Sequence, residues 1–287
     1  MSAVARSARA ENVRLSQLRA QQQAERRRRL TIVIAAIAAI VLVVAVLVGF
    51  AVFGPKQQQS ASSGSLDPAI LTTLTTIPAG TFDTVGVGVG ASNPPKAITS
   101  SPLTQDGKPE VLYVGAEYCP FCAAQRWPLV VALSRFGQYS GLQATTSGAA
   151  PEAYPNTATL SFHGATYTSQ YLAFTGIETQ TNTNQPLDTL SGDAKTLFQT
   201  YNPQGSIPWT DYGGRSAQTG ASVDPGLLAG KSQQEIATAI ADPNTDISKA
   251  VLGSANVITA RLCTLTNNAP AEVCNSPGVK AAAAAQP

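Results

Sequence analysis

From Leu30 to Phe53 the chain reads LTIVIAAIAAIVLVVAVLVGFAVF, 24 residues without a charged side chain. The hydrocarbon core of a bilayer is crossed by about 20 apolar residues in a helix, so this run predicts one transmembrane helix and confines any globular domain to the polar sequence beyond it. Residues 1–29 hold eight arginines, four of them at Arg26 to Arg29, against Glu11 and Glu25. That tail carries +6 of a whole-chain charge of +2, and the rest of the chain carries −4. Positive flanks stay in the cytoplasm, which places the N-terminus inside and everything after Phe53 outside, anchored in the cell membrane. A cleaved signal peptide is the other reading of such a run, but its apolar region spans about 7–15 residues and ends in a small-x-small site. With −4 on the folded part there is no electrostatic case for a nucleic-acid partner.

The segment GPKQQQSASSGS after the apolar run has the composition of a flexible spacer. The expected organisation is a basic tail over 1–29, a membrane helix over 30–53, a linker over 54–66, a folded domain over 67–276 and a disordered tail over 277–287. Asp67-Pro68 is a helix start, with a capping carboxylate and proline at the first helical position. Thr81 to Gly90 (TFDTVGVGVG) alternates like a strand, and its glycines lack the G-x-G-x-x-G arrangement of a nucleotide loop. Val111 to Gly115 (VLYVG) is the strongest buried-strand signal. A helix follows it, with Leu129, Val130, Leu133 and Phe136 as its apolar stripe and Gly137 as its stop. Runs at 142–146, 157–162, 165–168 and 171–179 are β-prone, and His163-Gly164 predicts a hairpin joining the second and third. Helices are expected over 191–201, over 232–241 with a Ser232/Glu235 capping box, and over 256–265. A strand is expected over 207–212. Strands alternating with helices make an α/β fold, a mixed sheet flanked by helices with an inserted β-hairpin region.

All four cysteines, Cys119, Cys122, Cys263 and Cys274, follow the apolar run, on the side where disulfides persist. They fall into two local pairs, which suggests one disulfide within C-x-x-C and another between Cys263 and Cys274. A shared zinc site is the weaker reading, because a second C-x-x-C is absent and Cys263 and Cys274 are too widely spaced. His163 is the only histidine, which rules out zinc sites needing two and leaves a Ser-His-Asp reading unsupported. It is expected to be a solvated turn residue. No metal or other cofactor is called for by these residues.

The C-P-F-C pair carries the chemistry. Thiol–disulfide exchange needs one sulfur ionised at neutral pH and a second near enough to resolve the mixed disulfide. At a helix N-terminus the Cys119 sulfur faces unpaired N–H groups and the positive end of the dipole, which favours the thiolate. Cys119 is therefore the nucleophile and Cys122, one turn in, the resolving residue. Phe121 supplies an apolar lip. The competing role for the pair is a structural staple.

The run from Tyr113 to Cys122 (YVGAEYCPFC) resembles the strand-to-active-site turn of thioredoxins, and C-P-aromatic-C is similar to the glutaredoxin form of the motif. Ser206-Ile207-Pro208 resembles the Ile-cis-Pro turn that such enzymes set opposite the dithiol. The wider resemblance is to a family of membrane-anchored bacterial and archaeal proteins of the thioredoxin superfamily. It rests on EYCPFCAAQRWPLVVALSRFG (117–137), TYTSQYLAF (166–174), GSIPWTDYGG (205–214) and ITARLCTLTNNAPAEVC (258–274). It implies a thioredoxin-like domain, a cis Pro208, and substrate binding by Ile207 and Pro208. Trp209 is grouped with them as a substrate-binding residue, against the competing role of a core side chain; Trp127 is expected in the core. Two departures are visible. Tyr113 stands where thioredoxins keep a buried carboxylate, and no histidine separates the cysteines. Glu117 is near enough to relay protons, yet an anion there disfavours the thiolate. Both directions of electron flow are left open.

The expected function is a membrane-anchored oxidoreductase acting on thiols or disulfides of exported proteins and reset by a membrane redox partner. The alternative is a non-catalytic envelope binding module whose disulfides, Cys263–Cys274 among them, are structural.

Overall fold

A computed structural model describes residues 64–286. The expected basic tail, the apolar run Leu30 to Phe53 and most of the linker lie outside the described residues. No helix among the described residues is long and apolar enough to cross a membrane.

The domain is a mixed α/β fold. Its elements in order are β1 (Gly64–Ser65), α1 (Pro68–Thr75), α2 (Ala79–Val85), β2 (Lys96–Ala97), β3 (Thr104–Gln105), β4 (Lys108–Gly115), α3 (Pro120–Leu133), β5 (Gln138–Ser140), β6 (Gln143–Thr146), β7 (Ala158–Ser161) and β8 (Thr166–Thr168). They continue with β9 (Ala173–Glu178), α4 (Gly192–Tyr201), β10 (Trp209–Tyr212), β11 (Ser216–Thr219), α5 (Gln233–Ala241), α6 (Asp246–Leu265), α7 (Ala271–Cys274) and α8 (Pro277–Ala284).

The central strand is β4. It pairs in parallel with β9, from Glu110 opposite Ala173 to Gly115 opposite Glu178, and antiparallel with β10, from Val111 opposite Tyr212 to Val114 opposite Trp209. The sheet continues through β11 to β2, and β3 closes a hairpin onto the start of β4. Successive strand residues face opposite sides. Val111 and Tyr113 therefore join the main core, which α3, α5 and α6 cover, while Leu112 and Val114 join Ile177, Trp209 and Ala217 beneath α4. With both faces covered, β4 is apolar throughout its second half, which is why VLYVG was so legible as a strand.

Several expectations are corrected. The fold begins before Asp67, because Gly64–Ser65 pairs with β6 and Leu66 is buried. Thr81 to Gly90 is not a strand: α2 runs to Val85 and ends at Gly86, whose φ is 59°. The glycines that mimic strand alternation instead allow close approach, since a Cβ on Gly88 or Gly90 would strike the backbone of α6 at Lys249 or Gly253. His163-Gly164 does not join a hairpin, because β7 pairs with β6 and β8 with β5. Phe162 breaks the run by turning into an aromatic cluster, with ring centroids 5.0 Å from Tyr113 and 4.9 Å from Phe174. Helix α6 starts ten residues earlier than expected, capped by the Thr245 hydroxyl. It is buried on nearly every side, which erases the amphipathic period. The tail over 277–287, expected to be disordered, forms α8, whose Val279 and Ala282 are buried against the domain. An alanine run is low in complexity but high in helix propensity.

Candidate active site

At the end of β4 the chain passes through Ala116, Glu117 and Tyr118 and enters α3 at Cys119. Backbone bonds brace this turn from both sides: Glu117 N–H donates to Gln180 O (2.9 Å) and Gly148 N–H to Tyr118 O (2.8 Å). Cys119 is the N-cap of α3, its sulfur accepting from the Cys122 N–H at 3.2 Å, with Pro120 at the first helical position. A thiol in that place takes over the role of a capping oxygen.

Cys119 and Cys122 stand as free thiols, the reduced form of the pair. The two are unlike. The Cys119 thiol is lowered from its ordinary range, first because the Cys122 thiol donates to it; burial opposes this, and the Cys122 N–H, the Arg126 charge and the Phe121 N–H assist. Cys122 is fully buried, and burial first, then its donation to Cys119, pushes its thiol well up. Cys119 keeps 6% exposure and Cys122 none.

The Ile207–Pro208 peptide is cis, and the Ile207 carbonyl accepts from the Cys119 thiol at 3.8 Å. Ile207 and Pro208 are thus brought to the dithiol. Trp209 is not available to a substrate: its side chain is fully buried, edge-on to Phe198 at 5.6 Å in the core under α4. Strand alternation explains the correction, because β10 begins at Trp209 and points it away from the Cys119 face. Trp127 is in the main core, as expected. Phe121 is 45% exposed beside Cys119, and Tyr154 meets it edge-on at 6.3 Å, so an aromatic pair lies next to the dithiol.

Cys263 and Cys274 form a disulfide with Cα atoms 5.6 Å apart, closing the end of α6 onto α7. Both sulfurs are thereby engaged, which removes the shared zinc reading. No group of three or more metal-ligating side chains occurs among the described residues. His163 is not merely a solvated turn residue, because its Nδ1 lies 2.7 Å from Asp188 Oδ1. Asp188 Oδ2 in turn accepts from the Glu178 N–H.

The largest feature missed in sequence is an ion pair beneath the dithiol. Arg126 Nε donates to Glu178 Oε1 (2.8 Å), and Nη2 donates to Glu178 Oε2 (2.7 Å) and to Ala116 O (2.8 Å), with both side chains fully buried. Burial works against the guanidinium charge, but Glu178, by its charge and its hydrogen bonds, is the main group holding it well above its ordinary value. Burial pushes the Glu178 carboxyl up and Arg126 pulls it back; the two short bonds identify an ion pair. Tyr113 is buried on the same side of the sheet, and a Cβ on Gly115 would run into its phenol. Burial raises that phenol well above its ordinary value, so it is a neutral hydroxyl and not a base. One signal was available: an arginine one turn after Cys122, flanked by Ala123, Ala124, Trp127 and Leu129, cannot reach water and needs a buried partner.

A protein-family profile described as "Domain of unknown function (DUF929)" matches residues 94–264, more than half of the chain. The chain belongs to this family. No curated protein and no solved structure matches it. The matched span takes in the dithiol, Arg126, Glu178 and the Ile207–Pro208 turn, and ends just past Cys263.

Proposed function

We propose that this DUF929 protein is a thiol–disulfide oxidoreductase with a thioredoxin-like domain, anchored by its apolar run and acting on exported protein thiols or disulfides. Cys119 attacks and Cys122 resolves. The observation that carries this reading is the asymmetry of the pair: one sulfur capping a helix, slightly exposed and with a lowered thiol, the other fully buried with a raised one. A staple has no need of unequal sulfurs. The Ile207 carbonyl beside Cys119 and the Phe121/Tyr154 pair suit the docking of an extended polypeptide. A membrane-borne redox partner would return the dithiol to its starting state. The envelope binding module keeps one observation in its favour, the 6% exposure of Cys119.

Trapping tests the proposal. In cells making the full-length Cys122→Ser variant, Cys119 is expected to collect mixed disulfides with envelope proteins, released by reductant and lost in Cys119→Ser. Absence of adducts from Cys122→Ser, with the chain folded and present, would point to the binding module.

A further inference from the structure

Exchange at this site sets a difficulty that the helix N-terminus does not solve. That terminus serves Cys119. Cys122 must also ionise, in the second half of the reaction, and it is fully buried, where charge is strongly disfavoured. The geometry of Arg126 addresses this. It lies four residues after Cys122 on α3, and side chains on a helix lean toward its N-terminus, so the guanidinium comes back over the turn that carries the two cysteines. Its bond to the Ala116 carbonyl, just ahead of Cys119, fixes that direction. Glu178 takes the Nε and Nη2 edge. Among the described residues Nη1, though buried, has no hydrogen-bond partner, and neither has the Tyr113 hydroxyl. An arginine pinned on one edge with donors left over in a dry site is unusual, because such groups are normally paired.

We propose that Arg126 is the cation serving the resolving sulfur: its Nη1 corner stabilises Cys122 as the thiolate that resolves a mixed disulfide on Cys119, while Glu178 and Ala116 hold the guanidinium in register. This rests on the oxidoreductase reading and deepens it. In the step, Cys122 gives up its proton to solvent and its thiolate attacks Cys119 Sγ. The Cys122–Cys119 bond forms, the bond from Cys119 to the substrate sulfur breaks, and that sulfur leaves as a thiolate that takes a proton from solvent. The dithiol is oxidised by two electrons and the substrate disulfide is reduced by two. The other titratable groups facing the cluster are Cys119, Tyr113, Tyr118, Glu178 and Glu117.

The test uses the full-length chain in detergent with dithionitrobenzoate as the probe. The reduced protein should release one thionitrobenzoate as Cys119 captures the probe and a second as Cys122 resolves it, the two phases being followed across pH. In Arg126→Gln/Glu178→Gln, which removes both charges and keeps hydrogen-bonding shapes, the second phase is expected to slow about tenfold near neutral pH. Its pH profile should move about one unit alkaline, with capture changed by less than about threefold. In Glu178→Gln alone the cation is unopposed, and the second phase should keep or exceed the wild-type rate, with its profile displaced to lower pH. A purely structural role slows both variants alike, and that result overturns the proposal, as does a wild-type second phase in a double variant that melts normally. If the double variant does not fold, Glu178→Gln decides by the sign of its shift. If wild type itself captures no probe or releases no second thionitrobenzoate, the oxidoreductase reading has failed, a result separate from a failure of the Arg126 assignment.

Discussion

At the scale of single residues, the site depends on buried groups whose charge is controlled by their surroundings. Because its thiol is lowered, Cys119 should be alkylated by iodoacetamide with a midpoint below the roughly 8.5 of a free cysteine, while Cys122 stays unmodified until the chain unfolds. Mass spectrometry of the two sites across pH checks this. Equal labelling would remove the asymmetry on which the proposed chemistry stands. Asp211 offers a second test. Burial first, and Glu110 after it, raises its carboxyl to about 6; Oδ1 accepts from the Gly214 N–H at 2.6 Å, and Oδ2 has no partner among the described residues. The folded chain then holds this proton more tightly than the unfolded chain, so stability declines as pH rises from about 4 to about 6 and stays lowered above that. Asp211→Asn keeps the acceptor for Gly214 and removes the charge. It should stabilise the domain above pH 6 by up to about 3 kcal/mol, with the gain vanishing near pH 4. Denaturant melts at the two pH values decide it, and a gain independent of pH would contradict the assignment.

Elements place these residues, and here the two ends of the domain count for more than their composition suggests. Arg135, just past α3, sits 4.3 Å from the Phe82 ring centroid of α2 and donates to Asn256 of α6 at 3.1 Å, tying the helix that carries the dithiol to its neighbours. Burial, offset in part by Asp83, lowers its guanidinium to about 10, which leaves it charged at neutral pH. Beyond α6, the Cys263–Cys274 disulfide closes a short loop, with the two cysteines 11 residues apart. Cys263→Ser/Cys274→Ser should cost about 2–4 kcal/mol in reversible unfolding and leave alkylation of Cys119 unchanged. A loss of Cys119 reactivity in the folded variant would instead implicate this pair in the chemistry. Elements with a period or a cap were legible in the sequence: β4, α3 with its cysteine start, and α5 with its Ser232/Glu235 box, which forms as expected. The misreadings share a cause. Glycine spacing at 86–90, the all-round burial of α6, the alanine run of α8 and the turn at His163-Gly164 are shaped by contacts with distant segments, and local pattern carries no trace of those. Within the site, the dithiol and the Ile207–Pro208 turn were visible because each is a local motif. The Arg126–Glu178 pair joins residues 52 positions apart and was not.

For the molecule as a whole, the described domain brings together a helix-capping thiol of lowered pKa, a fully buried second thiol, a cis-proline turn and a buried ion pair, all around the end of one central strand. On the proposed reading, the apolar run of the sequence serves as a membrane anchor, and exported chains and a membrane redox partner are what the dithiol serves. A dithiol that turns over must open and close at the potentials of biological thiols, whereas a staple must not. The most direct test is therefore a redox titration of the full-length chain in glutathione buffers, with thiols trapped and located by mass spectrometry. The account predicts that Cys119 and Cys122 titrate reversibly between about −120 and −270 mV while Cys263 and Cys274 stay oxidised. If, once oxidised, Cys119 and Cys122 are released only when the domain unfolds, the oxidoreductase reading is contradicted and the pair is a structural bond.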